Sequence, residues 1–337
     1  MTEQKTAALK SLLTDPKNIV IIPHKNPDGD AIGACLAIFL YLKKKGHNAT
    51  ITAPNDYPDF LKWMPGTEEV INYESQRESC RNAIDKADII FTLDFNDLSR
   101  IGDLQFALAD FKGKYIMIDH HQQPSDYAWL QYSDVMMSST CEMVWHFLDT
   151  LEETHAVDAA IASCLYAGIM TDTGSFRFPS TSSTTHRVVA ELIDKGADNA
   201  AIHNAVFDSN SPDKLQLLGC ALSNLETLPE YHTAIITLNS EELNRHNFKK
   251  GDTEGFVNYG LSMKGIRFAV ILIESAQEQI IKISLRSKGD FSVNQFARDH
   301  FNGGGHINAA GGRSELSLEE TKKKFKSLLP LYKDQLS

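Results

Sequence analysis

Metal-ligand side chains follow three apolar, β-type runs of this chain. The runs are Ile19–Ile22, Ile89–Phe91 and Tyr115–Ile118, and Asp or His occurs shortly after each one. In an open α/β sheet, ligands bind in the crevice just beyond the carboxyl ends of the strands. The sequence therefore predicts that these side chains point into one crevice, joined by a fourth segment, Met170–Asp172.

The four segments carry enough oxygen and nitrogen donors for two divalent ions. They supply five carboxylates and three imidazoles: Asp28, Asp30, Asp94, Asp119, Asp172, His24, His120 and His121. Such donors favour Mn²⁺ or Mg²⁺ over soft metals, and Mn²⁺ is the ion that we expect. Asp94, opposite the Asp28/Asp30 turn, is suited to bridge two ions. Because adjacent histidines project differently, we expect one of His120 and His121 to bind metal and the other to face substrate.

Three of these residues also have an ordinary structural explanation. Asp28 and Asp30 flank Gly29 at the start of a helix, where an Asx turn followed by an aspartate N-cap is common. Asp172 closes an apolar helix and could belong to a polar turn, although the helix dipole disfavours a carboxylate there. The presence of His24 four residues before Asp28 favours a metal centre over an isolated cap.

Composition and charge narrow the classes of function. The 337 residues suffice for two domains, and the formal net charge is −11. A protein that grips long nucleic acid usually needs a basic face, so the acidity favours a small anionic substrate. No apolar stretch approaches the ~20 residues that span a bilayer, and no signal peptide is indicated. With five scattered cysteines, we expect a cytoplasmic protein that does not bind membranes.

The alternation of strands and helices in the N-terminal half predicts an α/β fold with a parallel, doubly wound sheet. The chain then becomes mainly helical, over residues 141–151, 158–170, 184–195 and 213–225. We place a domain boundary beside Pro229, which gives domains of residues 1–228 and 229–337. The second domain has three strand-like runs and two helices, which predicts a smaller, mixed α/β domain: 233–238, 266–273, 279–285, 293–300 and 316–328.

A glycine-rich run, Gly303-Gly304-Gly305-His306, lies near the end of the chain. We interpret the following residues, Ile307–Ala310, as a helix start. Backbone N–H groups at such a position can form a nest that cradles phosphate, to which the side chain of His306 would add a contact. A flexible linker is the alternative interpretation of the three glycines.

The order of the motifs resembles that of the DHH phosphoesterase superfamily. The motifs are H-x-N-P-D-G-D, an apolar strand that ends in Asp94, D-H-H and T-D-T-G. The segment Gly303–Gly311 is similar to the signature of the DHHA1 domain, which accompanies DHH domains in one branch. The resemblance runs from about Ile19 to Gly312. It is greatest to the nanoRNase and 3′-phosphoadenosine-5′-phosphate (pAp) phosphatase group, some of whose members are labelled exopolyphosphatase-related.

The resemblance implies a role for each matched residue. One ion would be held by His24, Asp28 and Asp94, and the other by Asp30, Asp94, His120 and Asp172. Asp119 would orient a metal ligand, and His121 would contact the scissile phosphate and assist protonation of the leaving group. The resemblance also implies that a distal phosphate is bound by Arg286, Ser287, Gly303, Gly304, Gly305 and His306. For Arg286 and Ser287, the alternative is the solvated face of an alternating strand.

The activity implied is that of a dinuclear-metal phosphoesterase with its active site in the cleft between the domains. It would hydrolyse short oligoribonucleotides, pAp or both to mononucleotides through attack of metal-activated water. The alternatives are an exopolyphosphatase or pyrophosphatase, a linear or cyclic dinucleotide phosphodiesterase, a RecJ-type exonuclease and a non-catalytic sensor. The sequence does not rank pAp, short RNA and linear dinucleotides as substrates. It also does not decide cleavage polarity or whether the chain forms a homodimer.

Overall fold

The computed structural model describes residues 2–336, which fold as two compact units divided between Ser209 and Asn210. Within the described residues, each unit is built on one six-stranded sheet. The strands of the first unit are β1 (Asn18–Pro23), β2 (Asn48–Ala53), β3 (Val70–Asn72), β4 (Ile89–Leu93), β5 (Lys114–Asp119) and β6 (Leu130–Ser133). Its helices are α1 (Glu3–Leu12), α2 (Gly29–Lys44), α3 (Arg77–Asp85), α4 (Thr140–Thr150), α5 (Ala159–Asp172), α6 (Ser183–Asp194) and α7 (Asn199–Phe207).

The first sheet is parallel throughout, in the order β3-β2-β1-β4-β5-β6. The chain builds outward from β1 to β3 and then crosses to the other side of β1 to form β4. The strand order therefore reverses between β1 and β4, which is where a doubly wound sheet opens its ligand crevice. The predicted doubly wound α/β fold is confirmed. The edge strands β3 and β6 were not predicted, because such short strands show little periodicity.

Both faces of this sheet are covered by apolar packing. On β1, Ile19 and Ile21 pack in the core that contains α2, α4 and α5. Val20 and Ile22 pack on the opposite face, with α3 and the 3₁₀ segment Leu98–Leu108. A sheet that is buried on both faces explains the continuous apolar runs of its strands. It also provides a rigid base for the side chains that follow the strand ends.

The second unit contains a mixed sheet in the order β11-β12-β10-β9-β8-β7. Its strands are β7 (Glu226–Leu228), β8 (Thr233–Leu238), β9 (Phe268–Ser275), β10 (Ile280–Ser287), β11 (Gly304–Gly305) and β12 (Ala309–Ser314). Only β8 and β9 pair in parallel among the described strands of this sheet. Its helices are α8 (Pro212–Ser223), α9 (Ser240–Arg245), α10 (Phe256–Ser262), α11 (Val293–Phe301), α12 (Leu318–Leu328) and α13 (Lys333–Leu336). The predicted smaller, mixed α/β domain is confirmed.

Helix α8 belongs to the second compact unit. Its residues Leu217 and Ala221 pack against Ala234 and Ile236 of β8 in one apolar cluster. The predicted boundary, between residues 228 and 229, assigns α8 to the first domain, whereas the structure divides before it. The apolar stripe of α8 predicts burial, but it does not indicate which sheet the helix covers.

The predicted helix start at Ile307–Ala310 is wrong. Strand β12 begins at Ala309 and pairs with both β10 and β11. Alanine favours helices, but the two glycines that follow, Gly311 and Gly312, do not, and pairing with a neighbouring strand overrides such local preferences. In the part of the chain that the structure describes, no helix has both the length and the apolar character needed to cross a membrane.

Candidate metal centre

The turn between β1 and α2 carries His24 and Asp28. Asp28 is the N-cap of α2, and its Oδ1 accepts hydrogen bonds from the backbone N–H groups of Asp30 and Ala31, each at 3.1 Å. The same Oδ1 lies 3.8 Å from Nε2 of His24. The capping explanation for Asp28 therefore holds. It is compatible with a ligand role, because a carboxylate offers about four lone-pair positions.

Asp30 is buried and receives two backbone hydrogen bonds from the start of α4. Its Oδ2 accepts from the N–H of Thr140 at 2.6 Å, and its Oδ1 accepts from the N–H of Cys141 at 2.8 Å. Both donors belong to the first turn of α4, which follows the N-cap Ser139. The positive end of a helix dipole stabilises a carboxylate in this position. Each oxygen of Asp30 keeps a second lone pair for another partner.

Asp94 follows β4 and is 2% exposed, with a left-handed backbone (φ 66°). Such a conformation costs on the order of 1–3 kcal/mol outside glycine and persists only where the surroundings impose it. Its Oδ2 lies 3.5 Å from Nε2 of His24, and its Oδ1 lies 3.6 Å from Nε2 of His120. The two oxygens of one carboxylate thus face two histidines from different strand ends, which is the arrangement that a bridging ligand requires.

The adjacent histidines after β5 have different partners. Nδ1 of His120 lies 3.2 Å from the carbonyl oxygen of Met137, and Nδ1 of His121 lies 2.7 Å from Oδ1 of Asp119. The ring planes are inclined by 77°. Nε2 of His120 lies 3.5 Å from Oδ2 of Asp172. His120 therefore turns toward the buried carboxylates, while the fully buried Asp119 fixes the ring of His121.

Asp172 is the last residue of α5, and close packing of α2, α4 and α5 brings it near the other carboxylates. A Cβ atom on Gly29 would lie 2.4 Å from Oγ1 of Thr171, and one on Gly168 would lie 2.1 Å from Sγ of Cys141. These contacts explain why glycine is needed at both positions. The helix dipole disfavours the carboxylate of Asp172 at this position, and its Oδ2 faces Nε2 of His120 at 3.5 Å, which suits a cation held between the two groups.

In the first unit, the predicted ligands form two groups in which one ligand atom per residue lies within 4.8 Å of the others. They are His24 with Asp28 and Asp94, and Asp30 with His120 and Asp172. A third group joins Asp119 and His121 to Asp94. These carboxylate and imidazole donors fit hard divalent ions such as Mn²⁺ and Mg²⁺. The structure brings all the sequence-predicted ligands together, and their role in binding metal stays a prediction.

The charges of the cluster shift the pKa values of its members. Burial alone would lower the pKa of His24, but the carboxylates of Asp28 and Asp94 raise it to about 10. Burial is likewise outweighed at His120, where Asp172 and then Asp94 raise the pKa to about 9. Burial is the main cause that raises the pKa of Asp172 to about 6. Crowded carboxylates of this kind attract positive charge, which divalent ions would supply in place of protons.

Two predicted substrate ligands of the second unit lie at the end of β10. Ser287 is buried, and its hydroxyl donates to the carbonyl oxygen of Phe291 at 2.6 Å and accepts from Nδ2 of Asn308 at 2.9 Å. Nη1 of Arg286 donates to the carbonyl oxygen of Leu285 at 3.0 Å. Ser287 therefore belongs to a network within the protein rather than to the solvated face of a strand. Contact of either residue with substrate stays a prediction.

The glycine-rich segment forms a hairpin rather than the predicted nest. The N–H of Gly303 donates to the carbonyl oxygen of Ala297 at 3.1 Å, and the N–H of Gly305 donates to Oδ1 of Asn294 at 3.0 Å. The N–H of His306 donates to the carbonyl oxygen of Ala309 at 2.7 Å. These three groups are therefore not available as a cradle of free N–H donors, and that part of the interpretation is wrong. Contact of Gly303, Gly304, Gly305 and His306 with substrate stays a prediction.

Sequence reasoning missed the residues of α4 that touch the predicted ligands. Oγ1 of Thr140 donates to Oδ1 of Asp94 at 2.8 Å, in addition to the backbone bonds to Asp30. The pattern Ser139-x-x-Glu142 is a helix-start signature and could have indicated an anion-binding helix end. Its partner could not be read from the pattern, because Thr140 and Asp30 are 110 residues apart in the chain.

Comparison with known proteins shows to which family this chain belongs. The model of the DHH family, N-terminal domain, matches residues 18–169, and that of the DHHA1 domain matches residues 231–334. The chain is 31% identical over 293 residues to the bifunctional oligoribonuclease and PAP phosphatase NrnA of Thermus thermophilus, and the match covers 87% of this chain and 83% of that protein. The chain belongs to the DHH family. The predicted resemblance is therefore confirmed.

Two further matches cover almost the whole of this DHH protein. A probable bifunctional oligoribonuclease and PAP phosphatase NrnA of Streptococcus mutans is 28% identical, over 99% of this chain and 100% of that one. The crystal structure of an exopolyphosphatase-related protein from Bacteroides fragilis matches with a TM-score of 0.94 at 38% identity. That match covers 99% of this chain and 98% of the other. The fold of this chain is thus shared with a protein of known crystal structure.

Proposed function

We propose that this DHH protein is a dinuclear-metal phosphoesterase that hydrolyses short oligoribonucleotides and pAp to mononucleotides. The observation that carries the proposal is the position of Asp94, whose two carboxylate oxygens face His24 and His120 at 3.5 and 3.6 Å. One shared carboxylate between two ligand groups suits a two-metal centre. The names of the Thermus and Streptococcus relatives support the class of substrate.

The two ions are assigned to the two ligand groups. Mn²⁺ is the proposed ion and Mg²⁺ the alternative, because the donors are carboxylates and imidazoles without thiolates. When bound, two such ions activate a water molecule and neutralise charge on the phosphoryl group. The proposed ligands are His24, Asp28 and Asp94 for one ion, and Asp30, Asp94, His120 and Asp172 for the other.

His121 is proposed to act on the substrate rather than on a metal ion. Its Nδ1 donates to Oδ1 of Asp119, which fixes the ring and leaves Nε2 as the reactive nitrogen. We assign to Nε2 a contact with the scissile phosphate and delivery of a proton to the leaving oxygen. Asp119 supports this role by holding the ring in one tautomer and orientation.

The second unit is proposed to bind a distal phosphate of the substrate. Arg286 would provide a charge-assisted contact, because its guanidinium group carries a fixed positive charge. The other proposed contacts are Ser287, Gly303, Gly304, Gly305 and His306. The net charge of −11 and the lack of a basic run in the sequence support short substrates over long strands. A cytoplasmic location and the state of assembly stay predictions.

A substrate panel with added Mn²⁺ tests the proposal. It contains pAp, di- and pentaribonucleotides, a long RNA strand, linear and cyclic di-adenylate, pyrophosphate and polyphosphate. We expect the highest kcat/KM for pAp and the short ribonucleotides. Asp94→Ala should abolish this turnover, whereas Asp85→Ala, a change of an exposed carboxylate on α3, should not.

Other outcomes of the panel would replace the proposal. Preference for polyphosphate would favour an exopolyphosphatase, the second candidate, which the name of the Bacteroides protein suggests. Preference for cyclic di-adenylate would favour a cyclic dinucleotide phosphodiesterase. Binding of Mn²⁺ without turnover of any substrate would favour a sensor.

A further inference from the structure

Thr140 contacts one carboxylate from each of the two ligand groups. Its Oγ1 donates to Oδ1 of Asp94 at 2.8 Å, and its backbone N–H donates to Oδ2 of Asp30 at 2.6 Å. The residue is fully buried and is the first residue of α4, after the N-cap Ser139. One residue thus links the carboxylate that follows β4 to the carboxylate at the start of α2.

The bond from Thr140 determines how the carboxylate of Asp94 is turned. A carboxylate can rotate about its terminal side-chain bond, and this torsion has only a broad intrinsic preference. In the structure, Oδ1 faces His120 and Oδ2 faces His24. A hydroxyl that donates to Oδ1 and not to Oδ2 resists rotation of the carboxylate. It therefore keeps Oδ1 facing His120 and Oδ2 facing His24. Because the hydroxyl donates, it also leaves the remaining lone pairs of Asp94 for metal ions.

Thr140 is itself held by a network that does not involve the metal ligands. Oγ of Ser139 accepts from the N–H of Glu142 at 3.0 Å, which caps α4. The Oε2 atom of Glu142 accepts from the N–H of Ser138 at 3.2 Å and from Oγ1 of Thr185, on α6, at 3.0 Å. The start of α4 is therefore fixed by the fold before any ion binds.

We propose that Thr140 is a positioning residue that sets the affinity of the centre for its two ions by orienting Asp94 and Asp30. This inference rests on the metal centre of the proposed function. Thr140 does not touch substrate or metal in this account. It acts through the two carboxylates, which it holds in the orientation that lets Asp94 serve both ions.

Three substitutions separate the two bonds of Thr140. Thr140→Val removes the hydroxyl and keeps the backbone N–H, while Thr140→Ser keeps both donors. Thr140→Pro removes both donors at a position that tolerates proline, since the first residue of a helix does not need its N–H for the helix. The preceding Ser139 has φ −168° and ψ 161°, an extended conformation that a following proline accepts.

Two control variants match these changes elsewhere in the chain. Thr321→Val removes another fully buried hydroxyl, which donates to Oγ of Ser314 at 2.8 Å in the second unit. Ala159→Pro places proline at the first residue of α5, after the N-cap Asp158. The first control measures the general cost of losing a buried hydroxyl bond. The second measures the cost of proline at a helix start.

Calorimetric titration of the metal-free proteins with Mn²⁺ gives the number of ions bound and their affinities. The Mn²⁺ concentration for half-maximal hydrolysis of a diribonucleotide is a second readout. We expect Thr140→Val to weaken Mn²⁺ binding about 10-fold, as for other residues that orient ligands, and Thr140→Pro to weaken it further. Thr140→Ser and both controls should bind Mn²⁺ as the wild type does.

The outcomes distinguish failure of this inference from failure of the proposed function. If the wild type binds two ions and Thr140→Val binds them equally well, the positioning role is contradicted and the metal centre stands. If the wild type binds fewer than two ions, the metal centre fails and the role of Thr140 fails with it. Circular dichroism checks folding, and if Thr140→Pro does not fold, the comparison of the Val and Ser variants decides.

Discussion

The metal centre and the glycine-rich hairpin of the second unit use their polar groups differently. In the metal centre, Asp94 and Asp172 face imidazole nitrogens at 3.5 Å or more, which is too far for good hydrogen bonds. In the hairpin, the N–H groups of Gly303 and Gly305 donate to protein acceptors at 3.1 and 3.0 Å. Carboxylates and imidazoles that gather without short hydrogen bonds to one another are suited to receive a metal ion between them. Groups that are already bonded stabilise the fold, so these two N–H groups are not free donors for a phosphate.

The largest effect on activity is expected from a substitution in the metal centre. Asp94→Ala removes the carboxylate that faces both ligand groups and should lower kcat/KM about 10³-fold or more, because each ion contributes several kcal/mol. Mn²⁺ titration should show that neither ion binds normally, while circular dichroism should show a folded protein. Normal binding of two ions by this variant would show that Asp94 does not bridge them.

A smaller effect is expected for Arg286→Ala. Loss of one charge-assisted contact should lower kcat/KM for pAp by about 1.5–3 kcal/mol in transition-state free energy, roughly 10- to 150-fold. The matched control is Arg313→Ala, a change of an exposed arginine on β12. Bis-p-nitrophenyl phosphate, which lacks a distal phosphate, should be hydrolysed at the wild-type rate. An equal loss for this reporter would contradict a distal role.

The contrast between the two regions also shows what the sequence can predict. The ends of β1, β4 and β5 were predicted correctly, because a buried strand has a clear apolar pattern and a parallel sheet collects its strand ends at one edge. The family resemblance supplied the pairing of the ligands. The hairpin at Gly304–Gly305 was not predicted, because glycine and alanine have no periodicity and the pairing depends on β12.

Contacts that depend on tertiary packing were also not predicted from the sequence. Thr140 is the first residue of α4, and its two bonds to Asp30 and Asp94 exist only because the start of this helix lies beside both carboxylates. The assignment of α8 to the second unit has the same origin, since it depends on which sheet the helix covers. The sequence predicts burial and strand ends well, whereas it does not predict which distant partners meet.

Substitutions at two glycines of the hairpin test its contribution to stability separately from its contribution to substrate binding. A Cβ atom on Gly303 would lie 2.0 Å from the carbonyl oxygen of Gly311, whereas one on Gly304 would be 3.7 Å from its nearest neighbour, Oδ1 of Asn294. Gly303→Ala should therefore lower the free energy of unfolding by about 1–3 kcal/mol, and Gly304→Ala should change it little. Urea unfolding measures both. A normal kcat/KM for pAp in Gly304→Ala would argue against a substrate contact at Gly304.

The smallest effect is expected on stability, from substitution of Glu142, a buried carboxylate that accepts hydrogen bonds from Ser138 and Thr185. Burial opposes its ionisation, but His146 and the hydroxyls of Ser138 and Thr185 hold its pKa below the usual 4.5. A lowered pKa in the folded state stabilises the protein above pH 4.5, and this stabilisation is lost as the pH falls through the folded-state pKa. Glu142→Gln should lower Tm by a few degrees at pH 7, about 1 kcal/mol, and the difference should shrink below pH 4.5. A difference that stays constant with pH would contradict this assignment.

The central claim is that two ions share Asp94, and electron paramagnetic resonance of the protein loaded with Mn²⁺ tests it most directly. Two Mn²⁺ ions bridged by one carboxylate are close enough to be spin-coupled, since the metal ions of such centres lie about 3.5–4 Å apart. We predict two ions per chain and the spectrum of a coupled Mn²⁺ pair. A single bound ion, or two ions with the spectra of isolated Mn²⁺, would contradict the account.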